Sequence, residues 1–592
     1  MTIPDPRARA RKSVAIGLIV AAALLLGCAI WVGVRTLLAV GELEAAVPLA
    51  SRAQDAILAG DVSAAETSIS DLSRHAESAA SLTSDPIFAV SEVIPFLGPN
   101  LAALRQIAAA IDDVASDGLS PLAALGGSID AGSLTPVDGT IHLQPIIDAA
   151  PALEASEKAM LQASADVADI DTTGTIAPVT DAVGRLSAMV DDAASTVSAA
   201  SRISQLLPAM LGATEDRNYL LIFQNNAEVR ASGGLPGALA LIATSGGHFE
   251  MTVQSSANAF PYYDEPVLPV DYATESLYSS NVARYMQNVN LTPDFPTSSR
   301  LASEMWRRQF GLAVDGVIAV DPVLLSYILT AAGPVTLSTG DVIDSSNAVD
   351  FLLSGIYAKY PDATVQDLVF AEAARAVFGT LSAGNLDPAA LATALARGAE
   401  ERRILIWNSR EAEQQILADT DFAGTLPPTN DDGSVIGIYF NDATGAKMDY
   451  YLDAEATTSV ETCEDGAGPT YRTEVVLTST APVDGGTSLP AYVTGAGAFG
   501  VPPGTFRTRV VVYGPVDSSV ISATVDGDPA DVQTEEHLGR SVAQFIVDLA
   551  PGATSRVSVD MLGTDDEGDS TLVRMTPLIH AGNVKILSPS CG

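Results

Sequence analysis

The chain has 592 residues, with 31 Lys and Arg against 72 Asp and Glu and a formal net charge of -41. So acidic a surface repels a phosphate backbone and offers no basic cleft, which argues against nucleic acid as a partner. It suits a soluble, exported protein and could hold divalent cations loosely.

In chain order, the first element is a membrane span. From Val14 to Val34 no residue is charged, and 21 residues of helix cover about 30 Å, the thickness of a hydrocarbon core. A cleaved signal peptide has a shorter apolar stretch ending at a small-residue site, whereas this one runs through Arg35 into a helical pattern. Arg7, Arg9, Arg11 and Lys12 precede it and Arg35 alone follows closely. The positive-inside rule therefore makes 1–13 a cytoplasmic tail, 14–34 a single transmembrane helix of the cell membrane, and the rest extracytoplasmic. The lipid membrane is thus the first expected partner.

Residues 37–205 are rich in Ala, Ser and Asp with apolar residues at helical spacing, as in Leu186, Val190, Ala193, Val197, Ala200, Ile203 and Leu207. They predict a helical stalk or bundle, with breaks at Gly60-Asp61 and over Gly126–Gly139. Beyond Gly212 the apolar runs 218–226, 238–245 and 316–322 read as buried strands, and 346–354 and 366–381 as helices. Alternation of this kind predicts an α/β domain over 213–425. From Ser434 the pattern is of alternating strands (SVIGIYF, RTEVVLTST, TRVVVYGP, SVAQFIVDL, RVSVDML), which predicts a C-terminal β-sandwich over 434–592. The fold class is therefore multidomain: transmembrane helix, helical bundle, α/β domain and β-sandwich.

Cys28 lies in the span, which leaves Cys463 and Cys591 as the exported pair, either bridged as a disulfide or present as two thiols. Signatures of common hydrolases, zinc proteases and nucleotide-binding loops do not occur. The five histidines have no metal-ligand spacing and read as isolated surface or loop residues. Asp565–Asp569 reads as a solvated turn rather than a calcium loop.

The most unusual segment is QNNAEVRASGGLPG, Gln224 to Gly237. It places Asn226, Glu228 and Arg230 at the end of an apolar strand, where α/β sheets tend to bind ligands. Gly233 and Gly234 would let backbone N–H groups approach an anion, and Arg230 could pair bidentately with a phosphate or carboxylate. The alternative is that Glu228 and Arg230 pair with each other and the glycines only make a turn.

This segment, with TPDFPTSSRLASEMW, VDGVIAVDP and AAGPVTL, resembles the bacterial domain of unknown function 4012 family over about 213–400. That family is known mainly from predicted anchored envelope proteins, and the resemblance implies no established activity. The order of elements is also distantly similar to the LytR-CpsA-Psr phosphotransferases, which move glycopolymers from a polyprenyl-pyrophosphate carrier to the cell wall. That similarity implies a polyprenyl-phosphate lipid or wall glycopolymer as partner, Arg230, Arg300, Lys359 and Arg375 as cations for anionic oxygens, and a divalent cation such as Mg²⁺. Asp294 or Asp321 would hold the metal or act as base, although Asp321 before Pro322 equally suits a helix cap. The chain departs where that family has two arginines, with Lys359 and Tyr360 there instead. Two functions follow: an envelope protein that binds or transfers a glycopolymer or polyprenyl-linked precursor, or a non-catalytic surface protein whose β-sandwich binds a partner.

Overall fold

A computed structural model describes residues 6–58, 62–125, 135–431, 433–461, 468–564, 570–580 and 582–587. Cys463, Cys591, Gly60-Asp61, Asp565–Asp569 and most of Gly126–Gly139 lie outside the described residues. The chain forms two compact units, Met1–Ser133 with His142–Pro208, and Leu134–Ile141 with Ala209–Gly592.

The first unit is helical. Helix α1 (Pro6–Leu58) contains a stretch, Leu18–Ala53, long and apolar enough to span a membrane, a property it shares with export signals. Its large apolar side chains, such as Leu18, Leu24, Leu25 and Ile30, are exposed. Beyond Trp31 the pattern narrows to a buried stripe of Val32, Ala39, Leu43, Ala46, Leu49 and Ala53. Helix α2 (Val62–Thr83) returns along it with Ala65, Ile69, Leu72, Ala76, Ala79 and Thr83 buried, a spacing of four and three that keeps one seam on one face. Alanine on both sides of such a seam lets the helix axes approach closely.

Arg35 fixes where α2 ends. Its guanidinium donates to the carbonyls of Ser81 (2.7 Å) and Leu82 (2.7 Å) and pairs with Asp85 at 3.2 Å. A cation at a helix C-terminus satisfies orphan carbonyls and opposes the helix dipole. Asp85 in turn caps the short helix α3 (Pro86–Ser91), which leads to α4 (Gly98–Asp113). A π-helical turn (Val114–Leu119) and a short helix (Ser120–Ala124) continue α4, and the longer helices α5 (Gln144–Ala168) and α6 (Ala177–Met210) follow. In α6 the buried seam runs through Val183, Val190, Ala194, Val197, Ser201 and Ser204, and Ile203 is exposed. The seam keeps Val190 and Val197 of the apolar stripe the sequence suggests but runs on through Ser201 and Ser204 in place of Ala200 and Ile203.

The second unit begins with a mixed sheet. Strands β1 (Arg217–Arg230), β2 (Gly233–Ser245), β3 (His248–Ser256), β4 (Gly316–Val320) and β5 (Ile404–Asn408) lie in the order β3-β2-β1-β4-β5. Only the β1–β4 pair is parallel. Side chains alternate across the sheet, so Leu220 and Ile222 pack with Phe295, Leu301, Met305 and Trp306 of the helix Phe295–Phe310. Leu221 and Phe223 point to the other face, which the helices Pro322–Ala332 and Ala363–Ser382 cover.

The C-terminal half is strand-rich. A five-stranded sheet contains Ser434–Asp442 between Phe506–Val516 and Thr571–Met575, and a six-stranded sheet contains Leu452–Glu461, Thr470–Ser479 and Thr554–Leu562. Every residue of Ser434–Asp442 is buried. Ile436, Ile438 and Phe440 enter the core shared with Val475, Val557 and Val559 of the second sheet, while Val435 and Tyr439 join the core around Trp306. A strand buried on both faces makes the strand-rich region and the mixed sheet one folding unit.

The histidines correct one expectation. His537 is 4% exposed, accepting from or donating to Thr274 (2.9 Å) and Tyr513 (2.7 Å), and Tyr513 bonds Tyr278 at 2.7 Å. Burial, the largest influence, holds its imidazole below the usual range and favours the neutral ring. His75 pairs with Glu42, and His248 with Thr140.

Candidate functional site

Between the Leu221 and Phe223 face of the mixed sheet and the helix Ala363–Ser382 lies a cavity of about 710 Å³, within the roughly 300–1,000 Å³ of small-molecule pockets. Leu221, Phe223, Met251, Leu325, Phe370 and Val377 are among its mainly apolar walls. It reaches the surface beside Leu368, which is 66% exposed although its helical spacing suggests a core position. Small residues make the room: the helix presents Ala371, Ala373 and Ala374 where larger side chains would fill the space.

One wall is polar. The ammonium of Lys447 pairs with Glu228 and lies 5.3 Å from the ring of Tyr357 and 4.9 Å from that of Tyr492. Asn225 donates to the Tyr357 hydroxyl at 2.8 Å. Burial opposes the lysine's charge, yet the Glu228 carboxylate and the two tyrosines outweigh it and hold its pKa above the ordinary value. Asp367, bonded to Ser256 and Asn258, also lines the cavity, and burial raises its carboxyl above the usual range. At the rim, the exposed Arg375 bonds Gln254.

The residues singled out by sequence divide. Asn226, Glu228 and Arg230 are all buried, in a bulge where β1 gains residues between Asn225 and Val229 against Leu235 and Gly234 of β2. Glu228 reaches the cavity wall. Arg230 does not pair with it: its guanidinium donates to Val229 O at 2.9 Å and leans on Asp442, away from the cavity. Gly233 and Gly234 are not an anion cradle. They follow the two-residue connection Ala231-Ser232, and the Gly234 N–H is taken by the Gln224 side chain at 3.0 Å. A Cβ on Gly234 would sit 2.3 Å from the Asn225 carbonyl carbon. Gly234→Ala is therefore expected to lower unfolding stability by about 2–3 kcal/mol, an overpacking cost, measurable by thermal denaturation.

Asp294 and Asp321 are helix caps. Asp294 accepts from Thr297 N at 3.1 Å, and Asp321 from Leu324 N at 2.8 Å. The other oxygen of Asp321 accepts from Arg403 at 2.9 Å and Asn226 at 3.1 Å. Arg300 is exposed on the helix covering the opposite sheet face and bonds Thr297, while Lys359 pairs with Asp341. Arg230, Arg300 and Lys359 thus do not meet in one cleft. The residues expected to hold a divalent cation do not assemble a ligand set: among the described residues no group of three or more His, Cys, Asp or Glu is placed to hold a metal ion.

Lys447, Tyr357, Tyr492 and Asp367 were not evident from sequence. Lys447 alone carried a signal, a lone lysine between Ala446 and Met448 in an otherwise apolar and acidic stretch.

The second unit thus combines a mixed sheet, helices over a mainly apolar cavity and a buried lysine–glutamate pair in the cavity wall. Residues 214–357 match the sequence profile of a protein family of unknown function, DUF4012, so the chain carries a domain of that family. The match runs from the start of β1 to Tyr357 of the cavity wall. A search of curated proteins found no match. A solved structure, that of a Legionella pneumophila protein described as a candidate nutrient-binding protein, aligns with 8% identity and a TM-score of 0.14 over 22% of this chain and 43% of that one.

Proposed function

We propose that this protein is anchored in the cell membrane by its N-terminal helix, with its bulk outside, and binds a polyprenyl-linked glycopolymer precursor. The supporting observation is the cavity of about 710 Å³, apolar over most of its wall and polar at one side. An isoprenoid chain is an apolar, flexible ligand that such a cavity accommodates, and Arg375 at the rim is the exposed cation available to an anionic head. Lys447 is already neutralised by Glu228 and orders the wall instead.

The reading is of binding, not transfer. Pyrophosphate chemistry needs clustered cations that offset charge developing at the reacting atoms, and Arg230, Arg300 and Lys359 lie apart. We read the two C-terminal sheets as a β-sandwich. Because Lys447 and Tyr492 come from that region and line the cavity, it serves the same site and is less suited to a separate adhesive role.

The test is binding of a fluorescent polyprenyl phosphate to the purified full-length chain in detergent. Ala371→Trp, which fills the cavity, is expected to weaken binding at least about tenfold, the equivalent of 1.4 kcal/mol, with thermal unfolding little changed. Unaltered affinity in a folded Ala371→Trp protein refutes the proposal.

A further inference from the structure

Helix α3 and the segment that joins it to α4 carry a cluster of exposed apolar side chains. Val90 is 69% exposed, Val93 80% and Phe96 92%, with Ile87, Ile94 and Leu97 also exposed. Patches of this kind mark interaction sites in soluble proteins. Its position within the helical unit identifies the partner.

Three contacts hold this segment at the outer end of the apolar run of α1. Arg35, the first charge after that run, grips the last carbonyls of α2 and the Asp85 cap of α3. Phe88 of α3 is fully buried against Val32 of the run itself and Leu101 of α4. Trp31, half exposed, lies 5.2 Å from the Arg35 guanidinium, in the position where aromatic residues mark a membrane interface. The chain comes down along α2, turns at 86–97, and leaves in α4, so its apex lies beside the last turn of the run.

The apex is also free of uncompensated charge. From Pro86 to Leu97 the single ionisable residue is Glu92, and its carboxylate is held bidentately by Arg105 at 2.6 and 3.2 Å. Phe96 has φ 68°, a left-handed conformation that is rare for a bulky residue. The bonds Gly98 N to Ile94 O (2.7 Å) and Asn100 Nδ2 to Phe96 O (3.0 Å) hold it with the ring pointing out.

We infer that the 86–97 apex is a second membrane contact, an apolar wedge that enters the outer leaflet beside the span and seats Val90, Val93, Ile94 and Phe96 among the acyl chains. The occupant is lipid because the patch is anchored on the apolar run of α1 through Phe88 and Val32, where the run's Ile30 and Val34 are themselves exposed, and apolar side chains on a membrane-facing surface add to binding in proportion to the area they bury. The inference rests on α1 spanning the bilayer and is independent of what the cavity binds.

The test uses the full chain in phosphatidylcholine–phosphatidylglycerol vesicles with or without lipids brominated on the acyl chain. Phe96→Trp and Val93→Trp are each compared with wild type, and Val483→Trp, 88% exposed in the strand-rich unit, serves as a control. The emission added at 96 and 93 is expected to be blue-shifted and strongly quenched by brominated lipid, and that added at 483 is not. Quenching of the native Trp31 reports on the span separately. Quenching of Trp31 with solvent-like, unquenched emission from 96 and 93 overturns the wedge while leaving the span intact. Blue-shifted but unquenched emission overturns it in favour of a protein partner, and failure to quench Trp31 removes its premise.

Discussion

Asp321→Ala is expected to lower the unfolding stability of the strand-rich unit by about 3–5 kcal/mol, the cost of removing one partner of a buried ion pair, although Arg403 keeps its second partner, Glu401. Asp321 and Arg403 have side chains 1% and 3% exposed and meet at 2.9 Å. The carboxylate also caps the helix Pro322–Ala332 and accepts from Asn226, and the guanidinium donates to Leu578 O. Asn226 reaches Pro577 O as well. One ion pair therefore ties β1, the end of β4 and the C-terminal segment together. Chemical denaturation of the purified chain measures the loss. Asp321→Asn, which keeps the cap oxygen, is expected to lose less, and Arg403→Met added to Asp321→Ala to recover part of it by removing a buried cation that keeps Glu401 as its remaining ion-pair partner. A loss below about 1 kcal/mol, the worth of a helix cap alone, contradicts a structural ion pair.

The same residue shows what a sequence discloses. Asp321 before Pro322 has a local cap signature, and the cap is what forms. Strand positions were equally legible because side-chain alternation and apolar runs are local: all five C-terminal strands that the pattern marks are present. The partners of the polar segment were not legible. Val229 N donates to Asp449, and Ala231 N to Asn441, across more than 200 residues of chain. Arg230 thus looked like an anion-binding group at a strand end, although long-range packing had enclosed it. The cavity was hidden for a related reason: its walls come from β1, β2, β3, the two covering helices, the short helices of Tyr357 and Tyr492 and the loop at Lys447, and none of these alone encodes an empty space.

The enclosure of Arg230 has a pH consequence. Asp442 and Asp449 are fully buried beside it, with Glu228 and Lys447 adjacent, so three carboxylates face two cations. Burial, the largest influence on both, outweighs Arg230 and pushes Asp442 up to about 6 and Asp449 well above the usual carboxylate range. Binding of one proton by these two interacting aspartates would make the cluster neutral, and two carboxyls that interact so strongly titrate as a unit. Because the folded pKa lies above the unfolded one, the unfolded chain releases its proton first as pH rises. The stabilisation is fully present below about 4, and is lost as pH climbs through about 6. A shift of roughly two units amounts to about 3 kcal/mol. His537 acts in the opposite sense: with its folded pKa depressed, its contribution is present above about 6.5 and lost as pH falls. The difference between two proteins therefore isolates the aspartates. Asp442→Asn keeps the side-chain oxygen that accepts from Thr444 N and Oγ1 and carries no charge to lose. Across pH 4 to 7.5, wild-type unfolding free energy is expected to fall relative to that of Asp442→Asn by roughly 2–3 kcal/mol, most of it between pH 4 and 6. Parallel curves for the two proteins would mean that the cluster binds no proton, and that Arg230 and Lys447 are sufficient for all three carboxylates.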